Sequence, residues 1–446
     1  MREFLLFIFI FLIGIDSAFA YELVLPKEKK SVVSTNYAFF VGKANPTEIV
    51  TINNQKIYIA PNGAFAYSVK LKDGENRILI KSNFSSHLYK LYKISKNEIV
   101  KPELIELEPK LYTVKKDNTP LRKTPIDFGM NRISHLFKNT NIIINGEKGD
   151  FYRVFLSDNQ EAWIAKSAVS ASKDVIYPSF ITMNSNTFKN ATEHKIEFTE
   201  KLPYTIEEIE DEIIFRVYNP FVSNNSVYAI NIKKPKKYTY TTSLQDGIYT
   251  FKVSEFPFYE NNNLNNFTVV IDAGHGGSEN GAIGCLGDKE KDINLAIATE
   301  LKDFLVSKGA NVILTRECDG TISLDDRVKI AKDNYTNIFV SIHLNSIPDI
   351  EMNINKNRGT SVYYYNKNSK DLARCVLNSV TQTLNTRNDG VREASFAVLR
   401  PTDYIGILIE VAYMTNPNDC VLYKEENFAR ETAKAIADGI LNFSAE

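Results

Sequence analysis

The run Phe267-Thr-Val-Val-Ile-Asp-Ala-Gly-His-Gly-Gly277 constrains this chain more than any other stretch. Phe267 to Ile271 is a short β-branched and aromatic segment that follows an asparagine-rich one, a pattern that predicts a buried strand. The glycines of Asp272-Ala-Gly-His275-Gly-Gly277 permit a sharp turn and leave little bulk around His275. Open α/β sheets bind ligands just past the carboxyl ends of their strands, where this imidazole falls. Taken alone the pattern also describes a plain tight turn. Two later segments repeat it. Asn337-Ile-Phe-Val-Ser-Ile342 reads as a second buried strand delivering His343, with Asn345 and Ser346 behind it. Ile405-Gly-Ile-Leu-Ile409 reads as a third and delivers Glu410, followed by Tyr413-Met-Thr-Asn416. One histidine after a strand is ordinarily structural. Three such endings in one domain point to a metal or proton-transfer site.

The segments between them alternate in period. Helices are expected from Asp292 to Ser307, over Ser323–Asn334 with Ser323 as N-cap, from Ser369 to about Leu384, and over Asn427–Phe443. Strands are expected at Asn311–Thr315, Thr360–Tyr365, near Phe396–Leu399 and at Gly406–Ile409, with a turn at Asp389-Gly390. The fold class that follows is multidomain. Its C-terminal part, 267–446, is an α/β domain with a mostly parallel sheet and helices on both faces, preceded by β-rich domains.

Residues from Phe267 onward resemble the catalytic domain of zinc-dependent N-acetylmuramoyl-L-alanine amidases, the Amidase_3 family. The matching pieces run in family order: Val270-Ile-Asp-Ala-Gly-His-Gly-Gly277, Lys289-Glu-Lys-Asp292, Thr315-Arg316, Leu324 with Arg327 and Ala331, Phe339-Val-Ser-Ile-His-Leu-Asn345, Gly359 with Val362 and Tyr363, Val398-Leu-Arg400, and Glu410 with Thr415-Asn416. The resemblance implies one zinc ion held by His275, Glu290 and His343, with Glu410 as the catalytic glutamate. Two neutral imidazoles and one carboxylate would leave the ion a Lewis acid with an open position. By spacing alone Glu290 reads first as a first-turn acid favoured by a helix dipole; the resemblance assigns it to the metal instead. The implied substrate is the amide between the lactyl group of N-acetylmuramic acid and L-alanine of the peptidoglycan stem peptide. Asn345, Arg400 and Asn416 are candidates for lining the substrate cleft, with structural roles as the other reading. Some relatives carry an inhibitory helical insertion after the strand matching Thr360–Tyr365. Asn366 to Ser395 holds little beyond one helix and a turn, so control is expected from the front domains or a cell-envelope regulator.

Ahead of this domain the chain is built of β-rich modules. Met1-Arg-Glu precedes the apolar Leu5–Ile15 run and the small-residue Asp16-Ser-Ala-Phe-Ala20, the pattern of a secretory leader over 1–20. Export to the periplasm or the cell wall and extracellular space follows, with no transmembrane segment in the mature chain. Residues 21–98 carry short alternating stretches cut by Asn53-Asn54, Pro61-Asn-Gly63 and Asp73-Gly74, which resembles a bacterial Ig-like β-sandwich. Lys101–Pro109, within a 99–109 segment, reads as a proline-bearing linker. Residues 110–172 resemble an SH3-like barrel with Trp163 read as a core residue ahead of a binding platform, and 173–262 form a further β unit, either AMIN-like or another structural sandwich. His87, His135 and His194 are expected at the surface.

Charge excludes little but narrows the partners. Tyr21–Asn266 holds 33 Lys and Arg against 27 Asp and Glu, while Phe267–Glu446 holds 19 against 25. So weak a basic excess does not suit nucleic acid, and it reads as solvated surface or as a mild attraction to an anionic envelope. Four cysteines, Cys285, Cys318, Cys375 and Cys420, are too few for a disulfide framework and leave pairing open. Cys285 falls between proposed ligands and is either a soft ligand or a buried thiol or half-bridge. The competing readings are an inactive wall-binding protein with an amidase-like domain, and another zinc hydrolase such as an exopeptidase or deacetylase. Intact ligand positions argue against the first, and the absence of a second ligand cluster in the sequence against the second.

Overall fold

Among the described residues after Phe267, six strands and five helices are arranged around the three strands that carry the site. In chain order they are β1 (Thr268–Ala273), α1 (Glu290–Ser307), β2 (Asn311–Leu314), α2 (Leu324–Asp333), β3 (Ile338–Asn345), β4 (Thr360–Tyr364), α3 (Lys370–Leu384), β5 (Asn388–Glu393), β6 (Ile405–Tyr413), α4 (Pro417–Tyr423) and α5 (Phe428–Ala445). The computed structural model describes residues 21–94, 102–172, 177–222, 226–256, 264–265, 267–346 and 358–445. The leader expected over 1–20 lies outside the described residues. No helix among the described residues is long and apolar enough to cross a membrane.

The sheet order is β2-β1-β3-β6-β4-β5. β2, β1, β3 and β6 run parallel, and β4 returns antiparallel to β6. Alternation along the strands divides the core. Val269, Ile271, Ile338, Val340, Ile405 and Ile407 join the apolar faces of α1, α3 and α5. Val270, Phe339 and Leu408 face the other way, toward Ala331 of α2. Helices therefore cover both faces, and the parity that sends Phe339 and Leu408 toward α2 sends His343 and Glu410 there too. Ser323 caps α2 as expected, its hydroxyl oxygen accepting from the Asp326 amide.

Three local expectations are corrected. Phe396–Leu399 is not a strand; Ala397–Leu399 forms a 3-10 turn packed on α2. Residues around Asp389-Gly390 are not merely a turn but lie in β5, paired in parallel with β4. Of the expected 99–109 linker, residues 99–101 lie outside the described residues, and from Leu104 it is not a linker: Leu104–Val114 is a continuous strand paired antiparallel with Asn141–Lys148. Pro109 falls where three residues oppose one, between the Glu106–Gly146 and Lys110–Ile144 partners, so its missing amide costs the ladder nothing.

The front modules pack rather than trail. Residues 21–93 form two sheets, of three and five strands, over one apolar core. The seven-stranded sheet of 104–171 and the four- and three-stranded sheets of 180–255 share a second core, in which Val114, Leu121 and Ile144 continue into Tyr204, Phe215 and Phe251. Trp163 is outside it. Ala162 and Ile164 face the core, so Trp163 between them projects half-exposed on the opposite side of the strand.

Candidate active site

β1 ends against α2, and this junction sets His275. Asp272, 1% exposed, forms a buried ion pair with Arg327 and accepts from Thr315 Oγ1 and Ser341 Oγ, both at 2.7 Å. Arg327 continues outward, donating to the carbonyl of Ala273 at 2.9 Å and that of His275 at 2.8 Å. Arg316 donates to the carbonyls of Ala273 and Gly274 at 2.9 and 3.1 Å. Two guanidiniums thus fix three successive carbonyls. They hold His275 at φ +61°, a left-handed conformation that costs a non-glycine residue of order 1 kcal/mol.

Glu290 opens α1 and is 4% exposed. Its Oε2 accepts from the Ala282 amide at 2.7 Å and lies 3.2 Å from His275 Nε2. Its Oε1 accepts from the Leu344 amide at 3.1 Å and lies 2.9 Å from His343 Nδ1. Burial pushes this carboxyl up, but hydrogen bonds to His275 and His343 and their charge outweigh it and hold it well below the usual range. Burial pulls the His343 imidazole down, and Glu290 with Glu410 more than reverses that, leaving it raised.

Glu410 reaches the same place from β6. In the parallel ladder it is the register partner of His343, so the two side chains stand side by side on the α2 face. Its Oε2 is buried without a hydrogen-bond partner among the described residues, and desolvation pushes the carboxyl up to about 7.

The donor set suits a divalent ion such as zinc. One ligand atom each from His275, Glu290 and His343 lie within 4.8 Å of one another. Two imidazoles and an ionised carboxylate are the ligand types zinc takes. The surrounding backbone keeps the space clear: a Cβ at Gly274 would strike the His343 ring, and one at Gly281 would strike Glu290 and His275.

The family profile described as N-acetylmuramoyl-L-alanine amidase matches residues 269–442. The uncharacterized protein YqiI of Bacillus subtilis (strain 168) is 37% identical over 177 residues, 39% of this chain and 82% of YqiI. The chain belongs to the N-acetylmuramoyl-L-alanine amidase family. The N-acetylmuramoyl-L-alanine amidase LytC of Bacillus subtilis (strain 168) is 34% identical over 180 residues, 40% of this chain and 35% of LytC. Of the matched relatives from Staphylococcus saprophyticus and Staphylococcus epidermidis, at 34–36% identity, this chain spans 60% of their length. Among solved structures, N-acetylmuramoyl-L-alanine amidase AmiC2 of Nostoc punctiforme is 37% identical, covering 40% of this chain and 98% of that one, with a TM-score of 0.38.

The amidase domain gathers His275, Glu290, His343 and Glu410, and it separates the three cleft candidates. Asn345 follows His343 by two residues, on the same face of β3 by alternation. Asn416 is fully buried and caps α4, its Oδ1 accepting from the Asn418 and Asp419 amides at 2.9 and 3.2 Å. Arg400 precedes β6 and so lies at the end of that strand opposite Glu410, hydrogen-bonded to Ser395. Cys285 is not a ligand. It is buried in the apolar core beside Cys420, and the metal-capable group among the described residues does not include it.

Sequence reasoning singled out Asp272, Arg316 and Arg327 as motif positions without giving them a task. Asn294 it missed altogether. Its amide donates to Gly274 O at 3.2 Å and Glu290 Oε1 at 3.4 Å. The signal was there in the spacing: Asn294 is four residues past Glu290, one helical turn along the same face.

Proposed function

We propose that this chain is an exported, zinc-dependent peptidoglycan hydrolase that cleaves the amide joining the lactyl group of N-acetylmuramic acid to L-alanine of the stem peptide. The observation that carries this reading is the convergence of His275, Glu290 and His343 with Glu410 as the register neighbour of His343. His275, Glu290 and His343 would hold the ion; when bound, zinc acts as a Lewis acid toward the carbonyl and lowers the pKa of water to about 7. Glu410 takes the proton released as water attacks the amide carbon, then delivers it to the nitrogen as the carbon–nitrogen bond breaks. A carboxyl raised to about 7 is matched to both steps, because it is neither too weak a base nor too weak an acid near neutrality. Glu290, held low, stays ionised and does not compete for that proton. Arg316 and Arg327 keep the His275 carbonyl loop in place while this happens.

The leader pattern over 1–20 supports export to the periplasm or wall, and the packed β-rich modules would set where on the wall the enzyme works. Glu410→Gln should keep one zinc per chain yet release no stem peptides from purified sacculi, a loss of about 10²-fold or more. Mass spectrometry should find free L-alanine amino termini on the wild-type products. Zinc retained with undiminished hydrolysis would remove Glu410 as the base. Products cleaved at another bond would favour a different zinc hydrolase.

A further inference from the structure

We propose that a cleft between the middle β modules and the amidase domain is an oxyanion-binding site, built on Arg132 from one side and Arg400 from the other. The cleft has a volume of about 740 Å³ and is lined from three units, by Arg132 and His135, by Tyr204 and Thr242, and by Tyr365 and Arg400. It lies away from the zinc-ligand cluster, since Arg400 precedes the strand whose far end carries Glu410.

Its inner charge is unbalanced. Arg132 and Arg400 are each half-buried; Arg400 and Arg122 both act on Arg132, and Arg122 acts on Arg400. A guanidinium does not shed its proton to escape such a neighbour. Asp127 is the carboxylate near them; it pairs with Arg122 at 2.5 Å, and its side chain is 78% exposed. The acids that line the cleft are engaged at its rim, Asp403 by Lys332 at 3.0 Å, Asp333 by Lys329, and Asp117 by the Lys138 amide at 2.7 Å, while Asp325 sits in the first turn of α2. Donors are left over as well. Arg132 Nε and Thr242 Oγ1 are buried with no partner among the described residues. Arg132 Nη1 reaches His135 Nε2 at 3.3 Å, and Arg400 spends Nε and Nη2 on Ser395. Buried donors without acceptors are costly, and planar guanidiniums match carboxylate or phosphate oxygens in pairs. A bound oxyanion would relieve both the repulsion and the unmet donors, and would tie two modules together.

A stem-peptide carboxylate and a phosphate share this chemistry. The peptide source rests on the wall-hydrolase reading above, whereas phosphate binding does not, so failure of one leaves the other to be judged. The test is isothermal titration of the full chain carrying Glu410→Gln, with inorganic phosphate in one arm and an L-alanyl-D-glutamyl peptide in the other. Binding in either arm that weakens at least tenfold in both Arg132→Gln and Arg400→Gln supports the site, and the arm that binds identifies the source. No binding in either arm, or full affinity in either variant, overturns it. If a glutamine variant fails to fold, Arg132→Lys keeps the charge without the planar fork; an unchanged affinity there also overturns the proposal.

Discussion

At the scale of single residues, Glu410 has the most to reveal, because its unusual state is present before any metal binds. Burial raises it from an ordinary 4.5 to about 7. Between those values the folded chain holds the proton more tightly than the unfolded chain. The stability this confers is fully present below pH 4.5 and is lost as pH rises through 7. Glu410→Gln removes that titration. In metal-free protein, the stability of the variant relative to wild type should therefore grow between pH 5 and pH 8, by on the order of 2–3 kcal/mol. Denaturant unfolding at the two pH values measures it, and a constant difference would mean an ordinary, solvated carboxyl. His275 makes the complementary case. His275→Ala should lose metal and hydrolysis together, read by metal analysis and wall digestion; zinc content that survives would show the ligand set to be wrong.

Elements explain why those residues meet. The strand-end side chains were legible because each follows a short apolar run that marks the end of a buried strand, whereas the shared face of His343 and Glu410 comes from the register of β3 and β6. What holds them was not legible, because its partners are remote in sequence: Arg327 meets Asp272 across 55 positions and Arg316 meets Gly274 across 42. The same limit hid β5, whose sequence carries turn residues and becomes a strand only by pairing with β4. It hid α4 too, a seven-residue helix recognisable mainly by its Asn416 cap and following proline. The β1–α2 junction is thus the part of the site that only packing reveals, and it yields a prediction. Arg327→Ala leaves Asp272 buried and unpaired and frees the His275 carbonyl. Stability should fall by about 3–5 kcal/mol, and zinc affinity in the variant that remains folded by about 10–100-fold. Chemical denaturation and competitive metal titration check the two effects. An intact metal affinity would mean that His275 is positioned by the glycine loop alone.

The whole molecule is held by contacts that a modular reading does not anticipate, since surface β modules joined by linkers need not touch their catalytic domain. Here Val41, Ala64 and Ala66 of the first sandwich belong to the same apolar cluster as Cys420 and Val411 of the amidase domain. The third module binds by its backbone, with the Tyr240 amide on Thr402 O at 3.0 Å and Asn368 Nδ2 on Tyr238 O at 2.9 Å. Lys237 is the decisive contact. It is 4% exposed, lies 4.1 Å from the Phe443 ring centre and donates to the Phe443 carbonyl in the last turn of α5. Carbonyls in a final helical turn have no partner within the helix, and a cation there also meets the negative end of the helix dipole. One module therefore caps the C-terminal helix of another. Lys237→Met keeps the apolar stem against Phe443 but removes the donor and its charge. Net stability should fall by about 1.5–3 kcal/mol, the range for hydrogen bonds to charged groups. Hydrogen exchange should quicken at the last turn of α5 and along Tyr238–Gln245 together, while the β1 and β3 amides keep their protection. Faster exchange at α5 alone would show that Lys237 serves the helix and not the joint between modules.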